Sequence, residues 1–343
     1  MANRTEDVVH YILHEVRSGH WKQGERILSQ MTLTRMLKCS RTTVERAVAR
    51  LVRAGVLESR RGSGTLVRCA VPGGDDEIRE IAVIAGQLDH LQRSSFAAMF
   101  IGLDSGALPV RWLTAEQAFA NIPDFRHRRS AVIAYMPDPP MLMLLEELRG
   151  LEIPVLLINR TYGGFDYVTT DTEASLRVGI SYLAGKAGSG AEVSLVSYLA
   201  DQRRPYLAER IIAGYEICME LGLNLRPERI IKRDFDREGD VAYNLIADAL
   251  FRRVRKPLAI IAPNYELAGK CLEIGTRCRK QCGKDFFLLA FDMIQAPGQI
   301  TGAGILIQQY ALFRPRIEQW LRQIIRGDRT FFAARIPARL MVM

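Results

Sequence analysis

Arg41, Thr42, Glu45, Arg46 and Arg53 fall on one side of a segment whose other side carries Val44, Ala47, Val48 and Leu51. The apolar positions recur at i, i+3, i+4 and i+7, which predicts a helix with one buried stripe and one polar, basic face. Ser40 stands where an N-cap is wanted, and Gly55 where such a helix should stop. Beyond it, Val56 to Arg60 and Thr65 to Arg68 read as two short strands. Arg61-Gly62-Ser63-Gly64 joins them as the glycine-rich turn of a hairpin. Guanidinium and hydroxyl groups on an exposed helix can donate to base edges and phosphates in a DNA major groove. A basic hairpin tip can reach a phosphate or the adjacent minor groove. The candidate DNA contacts are therefore Ser40, Arg41, Thr42, Thr43 and Arg46 on the helix, with Arg61, Ser63 and Gly64 at the tip. A glycine there lets the backbone approach closely.

The elements that must hold this face lie just upstream. Val9, Ile12, Leu13 and Val16 share one face of a first helix over residues 8–17. Gly19 and residues 21–24 make a turn, and Ser29 caps a second helix carrying Leu33, Met36 and Leu37. With Ser-Arg, then Val44, then Gly-Val-Leu at 55–57 and Arg-x-Gly-x-Gly-Thr at 60–65, the stretch resembles the GntR-type winged helix-turn-helix over about residues 4–69. The resemblance implies DNA binding. The family usually has Glu-Arg where this chain has Gln30-Met31, and Arg where it has Glu45, which implies a different operator.

Charge agrees with this placement. The 343 residues carry a formal net charge of +9. Residues 1–70 hold 13 Lys+Arg against 6 Asp+Glu, and the remainder 34 against 32. Basicity concentrated in the N-terminal segment is the footprint that phosphate binding requires. The length calls for two or three domains. Ala70 to Glu77, with Pro, two Gly and three acids, reads as a short linker, so the expected division is 1–69, 70–77 and 78–343. No apolar run is long enough to span a membrane, and the first residues lack the apolar core of a signal peptide. The six Cys are scattered, which favours reduced thiols in the cytoplasm. Cys271, Cys278 and Cys282 are spaced to align on one helix face. Without nearby His or a CxxC pair, that alignment reads as a buried helix face, and no metal or cofactor is expected.

Past residue 77, apolar runs of strand length alternate with helical stretches. The runs are 81–85, 131–135, 154–158, 193–197, 258–262 and 286–291, and the helices 141–149, 173–184, 207–221, 239–252 and 266–281. This alternation predicts parallel sheets covered on both faces, and its length predicts two lobes. Leu157-Ile158-Asn159-Arg160 with Asp171, Gly214-Tyr215, Ala259 to Ala262 with Asn264 and Ala268, and Ala290-Phe291-Asp292 are similar to landmarks of the lactose-repressor effector domain. So are Ile305 to Gln308, the helix 312–326 and a terminal strand 335–342. The resemblance implies a two-lobed, periplasmic-binding-protein-like, doubly wound α/β domain that binds a small molecule between its lobes. The family's Asp beside the Asn264 position is Tyr265 here, and Arg210 is one residue further from Gly214 than the family's arginine.

Ligands of such folds lie at the carboxyl ends of the strands. That selects Ser95, Phe96, Arg210, Asn264, Tyr265 and Asp292, a set of polar groups and aromatic faces suited to a polyhydroxylated compound such as a sugar. Catalysis finds little support. No Gly-x-Ser-x-Gly, HExxH or Walker sequence occurs, and the glycine-rich 185–190 falls after a helix and before a strand, the reverse of a phosphate cradle. The region is also short for the aminotransferase-like domain fused to some GntR-type winged helices. The expectation is a cytoplasmic, non-enzymatic transcriptional regulator, acting as a repressor and homodimer on a two-fold operator. A second expectation keeps DNA binding but makes the C-terminal domain a dimerisation scaffold without an effector.

Overall fold

The computed structural model describes residues 4–17, 20–53, 55–60, 64–68, 78–86, 88, 99–100, 108–188, 190–198, 205–252, 257–292 and 301–343. The chain divides into two compact units, Met1–Thr169 with Tyr310–Ala334, and Thr170–Gln309 with Arg335–Met343. It passes from one unit to the other near residues 169, 309 and 334. The expected linker 70–77 lies outside the described residues.

The first unit opens with helices Arg4–Arg17, Gln30–Met36 and Arg41–Arg53. Strands β1 (Leu57–Arg60) and β2 (Gly64–Val67) follow as an antiparallel pair with Arg60 opposite Gly64. Val9, Ile12, Leu13 and Val16 are buried against Val44, Ala47, Val48 and Leu51 in one continuous core. Met36 departs from expectation: it is exposed, while Leu33 is buried in that core and Leu37, capping the helix, packs against it. The hairpin gains a third edge, because the Ile27 N–H donates to Thr65 O at 3.0 Å and the Val67 N–H to Glu25 O at 2.8 Å.

The remaining strands are β3 (Glu80–Ala85), β4 (Val110–Thr114), β5 (Ser130–Tyr135), β6 (Val155–Ile158) and β7 (Asp166–Asp171). They continue with β8 (Glu192–Tyr198), β9 (Ile230–Arg233), β10 (Leu258–Ala262), β11 (Phe286–Phe291), β12 (Ala303–Ile307), β13 (Ala333–Pro337) and β14 (Arg339–Val342). One six-stranded sheet has the order β13-β7-β6-β5-β3-β4, and the other β14-β12-β11-β10-β8-β9. Strands from β3 to β7 and from β8 to β12 pair in parallel wherever they are neighbours, while β14 runs antiparallel to β12. β3, β5, β6 and β10 are buried at every residue, as strands covered by helices on both faces must be. The fold is thus a winged helix followed by two parallel α/β sheets.

Three expectations change. The terminal strand 335–342 is two strands in different sheets, broken at Ala338. Pro337 has no N–H for a ladder, and the Ala338 N–H leaves the sheet to donate to Ser175 Oγ at 2.8 Å. The helix expected to reach 281 ends at Arg277, because Arg279 turns left-handed (φ 55°) and the Lys280 N–H folds back to Gly275 O at 2.8 Å. Cys271 is therefore on the helix, Cys278 caps it and Cys282 lies beyond it. Burial pushes the thiols of Cys218 and Cys271 up to about 12 and that of Cys282 up to about 11, so none offers a thiolate near neutral pH. Arg210, expected to open or precede the helix containing Gly214, sits inside the helix Pro205–Glu220.

Candidate functional site

The first candidate surface is the amino-terminal half of the helix Arg41–Arg53. Ser40 Oγ accepts the Thr43 N–H at 3.1 Å, satisfying one of the donors a helix start leaves unpaired. The same Ser40 oxygen lies 2.7 Å from Thr43 Oγ1, so these two hydroxyls define the cap. Arg41, Thr42, Glu45 and Arg46 are exposed, and Thr43 is half-buried. Arg41 Nε donates to Glu45 Oε1 at 2.8 Å, one turn along. An ion pair in water holds its partners weakly, so Arg41 can exchange Glu45 for a stronger acceptor.

The hairpin stands beside this helix. Gly64 has φ 82°, a left-handed conformation that favours glycine, and a Cβ there would meet the Arg26 Nη2 at 2.8 Å. Arg60 contributes paired donors to Glu58 at 3.0 and 3.3 Å and holds that carboxyl below its ordinary value. Arg61 and Ser63 lie outside the described residues.

The second candidate surface belongs to the second sheet. β8, β10, β11 and β12 are parallel neighbours, so their carboxyl ends share one edge of the sheet. Asp292 follows β11 with φ 68°, held in this conformation by its N–H donating to Leu306 O at 2.9 Å. Arg210 reaches it from the helix Pro205–Glu220: one Nη1 donates to Asp292 Oδ2 at 3.3 Å and to Pro263 O at 2.6 Å. The guanidinium lies 3.8 Å from the ring centre of Phe291 and 4.9 Å from that of Tyr206. On the other side of the carboxylate, Gln308 Nε2 donates to Asp292 Oδ1 at 2.6 Å, and Thr170 Oγ1 donates to Gln308 Oε1 at 2.6 Å.

The fold therefore joins Arg210 to Asp292, both named from sequence, in one chain of hydrogen bonds that is buried at Arg210, Gln308 and Thr170 and partly open at Asp292. Asn264 serves the backbone instead. Its Oδ1 accepts the Leu267 N–H at 3.0 Å and caps the helix Tyr265–Arg277, with the residue only 2% exposed. Tyr265 begins that helix and is exposed. Ser95 and Phe96 fall outside the described residues. Sequence reasoning had not singled out Thr170, Gln308, Phe291 or Tyr206 as site residues. Gln308 had one signal, a polar side chain immediately after the apolar run 303–307.

The cluster pairs one cation with one anion and leaves Asp292 28% exposed in its side chain. A carboxylate offers about four lone-pair sites, of which the described residues take two at Asp292. No nucleophile stands beside a base among the described residues of the cluster. Among the described residues, no group of three His, Cys, Asp or Glu is arranged to hold a metal, and no helix is long and apolar enough to cross a membrane.

Residues 4–67 match the family described as bacterial regulatory proteins, gntR family. Two curated relatives align with the same end of the chain, both uncharacterized HTH-type transcriptional regulators of Bacillus subtilis (strain 168). YdfD is 37% identical over 60 residues, covering 18% of this chain and 12% of its own length. YisV is 40% identical over 57 residues, covering 17% and 12%. The chain thus spans about an eighth of the curated relatives it matches. Solved structures extend the likeness to the rest. A LacI-family regulatory protein from Chloroflexus aggregans superposes with TM-score 0.61 at 15% identity, over 76% of this chain and 96% of that one. A sugar-binding LacI-family transcriptional regulator from Escherichia coli, complexed with phosphate, superposes with TM-score 0.60 at 14% identity, over 77% and 97%. At these identities the likeness establishes a shared fold.

Proposed function

We propose that the chain is a sequence-specific DNA-binding transcriptional regulator, acting as a repressor and controlled by a small neutral polyhydroxylated effector. The observation that carries this reading is a gntR-type winged helix, with an exposed basic face, on the same chain as a two-sheet fold of the LacI-regulator type. Arg41, Thr42, Thr43 and Arg46 contact the major groove, Ser40 sets the helix start, and Arg61, Ser63 and Gly64 reach the backbone from the wing. One winged helix makes few contacts, so a homodimer on a pseudo-palindromic operator supplies the remainder. The protein works in the cytoplasm and turns over no substrate. In the DNA reading the +7 imbalance of residues 1–70 makes affinity fall steeply with salt.

Asp292 and Arg210 form the core of the effector site. Tyr265, exposed at the start of its helix, and Ser95 and Phe96, which lie outside the described residues, are the further residues assigned to effector binding. Asn264 acts through the helix cap that places Tyr265. The domains are 1–69 for DNA and 78–343 for the effector and dimer contacts, joined by 70–77. One observation favours the second reading, a scaffold without effector. Arg210 and Asn264 already bond to partners within the chain, and a network so satisfied stabilises a fold without needing a ligand.

Two measurements separate these readings. Operator selection with the full chain, followed by titration at several salt concentrations, tests DNA binding. Failure to enrich any sequence over random DNA rejects it. Thermal-shift screening against sugars and related metabolites tests the effector, since a ligand that binds only the native state raises its melting temperature. A broad screen without a single shift leaves the scaffold reading.

A further inference from the structure

The helix Arg41–Arg53 is used at both ends. Its first two turns leave Arg41, Thr42, Glu45 and Arg46 exposed, whereas its last turn is engaged by the first α/β sheet's own helix Pro139–Gly150. Arg50 Nη2 donates to Glu146 O at 2.8 Å and to Glu147 O at 3.2 Å. Those carbonyls belong to the last turns of Pro139–Gly150, where the helix carries partial negative charge that favours a guanidinium. Glu147 O also accepts the Leu151 N–H at 3.2 Å, so Arg50 uses its second lone pair. Arg53 Nη1 pairs with Glu147 Oε1 at 2.9 Å. Glu147 thus holds one arginine with its backbone and another with its side chain.

The fit on either side of these bonds is close. A Cβ at Gly150 would meet the Arg50 Nη1 at 2.9 Å, so the guanidinium occupies the space a side chain would take. A Cβ at Gly55, just past the recognition helix, would meet Pro123 Cβ at 2.9 Å. The helix Arg4–Arg17 also packs on Pro139–Gly150, and one apolar core runs without interruption from Val9 and Leu51 to Leu144 and Leu148. The winged helix is thereby docked on the α/β sheet of its own unit by contacts that do not involve residues 70–77.

We propose that Arg50, Arg53 and Glu147 are positioning residues for operator recognition. They orient the recognition helix on the effector domain, so that domain rearrangements reach DNA through this latch rather than through the linker alone. The proposal rests on the DNA-binding reading for its consequence, but not for the docking itself. In a dimer, a docked winged helix fixes the separation of the two recognition helices and therefore the half-site spacing. A released one reads each half-site as well as before but tolerates other spacings.

The test uses the full-length chain, as wild type, as Arg50→Ala/Glu147→Ala, and as the charge exchange Arg53→Glu/Glu147→Arg. Nitrogen-15 relaxation of the wild type should give winged-helix amides the same rotational correlation time as those of the sheet β3 to β7. The double alanine variant should shorten the winged-helix value by about twofold or more, as for a small domain moving on a tether. On selected operators, wild type should prefer its spacing by about tenfold over sites lengthened by two base pairs, a preference set by helical phase. The alanine variant should lose most of that preference while keeping its affinity for a single half-site, and the charge exchange should recover part of it. Independent tumbling of the wild-type winged helix would overturn the docking. Unchanged spacing preference in the alanine variant would overturn the positioning role. A wild type that binds no DNA rejects the regulator reading, while the relaxation result still decides whether the two bodies are docked.

Discussion

Arg41 leaves 80% of its side chain in water and has Glu45 for company, whereas Arg210 leaves 6% and has Asp292, Pro263 O and two aromatic rings. The same guanidinium group does opposite work in the two places. At the surface, water screens the Arg41–Glu45 pair to about 1 kcal/mol or less, so Arg41 is available to any better acceptor. In the interior, removing water from a guanidinium is expensive, and only a near-complete set of partners makes it tolerable. The exposed arginine is suited to a large, sequence-variable anion that brings its own charge. The buried one is suited to fix the geometry of a carboxylate before any ligand arrives. If this contrast is sound, substitutions should damage affinity at the first site and stability or coupling at the second.

The largest effect is expected at Arg210. Arg210→Ala removes the cation beside Asp292, and breaking a buried pair costs about 3–5 kcal/mol. With Asp292 partly exposed the expected loss is at the lower end, about 3 kcal/mol. Chemical unfolding followed by circular dichroism measures it. A loss under about 1 kcal/mol would erase the contrast, since that is the range of a surface pair. Arg210→Lys should recover little, because an ammonium cannot lie flat between Phe291 and Tyr206 while bonding both Pro263 O and Asp292.

Asp292→Asn keeps the shape and removes the charge. Operator affinity without effector should stay within about twofold of wild type, while the effect of a compound found by thermal shift should shrink by about 1–3 kcal/mol, the usual size of such couplings. A variant that responds fully removes Asp292 from the site.

At the exposed site, Arg41→Ala should weaken operator binding by about 1–3 kcal/mol if it reads a guanine, with the discrimination at that base relaxed. Arg46→Ala, if it contacts phosphate, should lower affinity for all sequences alike and reduce the slope of log affinity against log salt by about 1. Neither should move the unfolding midpoint much. A shift as large as that of Arg210→Ala would show that these arginines are structural. The smallest effect belongs to Ser40→Ala, about 1 kcal/mol from the lost cap, with Ser40→Asp restoring it.

The parts of the fold that were legible beforehand share a physical cause. β3, β5, β8, β10 and β11 are central strands whose apolar runs register directly as sequence. β4 and β9 lie at sheet edges, where one side meets less protein. Val-Arg-Trp-Leu-Thr and Ile-Ile-Lys-Arg carry mixed polarity that no periodicity test separates from loop. The break at Ala338 was partly hidden: Pro337 marks a place where the ladder can fail, but the acceptor at Ser175 that diverts the Ala338 N–H lies 163 positions away.

The candidate sites divide the same way. Along the chain, helix spacing and the glycine-rich turn were sufficient to put Arg41, Thr42 and Arg46 on an exposed face, because an amphipathic helix is a local object and its period is written in neighbouring residues. The bond from Arg210 to Asp292 spans 82 positions and that from Thr170 to Gln308 spans 138. Isolated polar residues carry no period, so nothing in their own neighbourhoods announces such pairs. The docking of Arg50 and Arg53 on Glu147 is of this second kind. The sequence determined that a basic helix would be made and which of its faces would be polar. Only the tertiary structure decided that its first turns stay in water while its last turn is held by another helix, because burial and charge pairing depend on what the fold brings alongside.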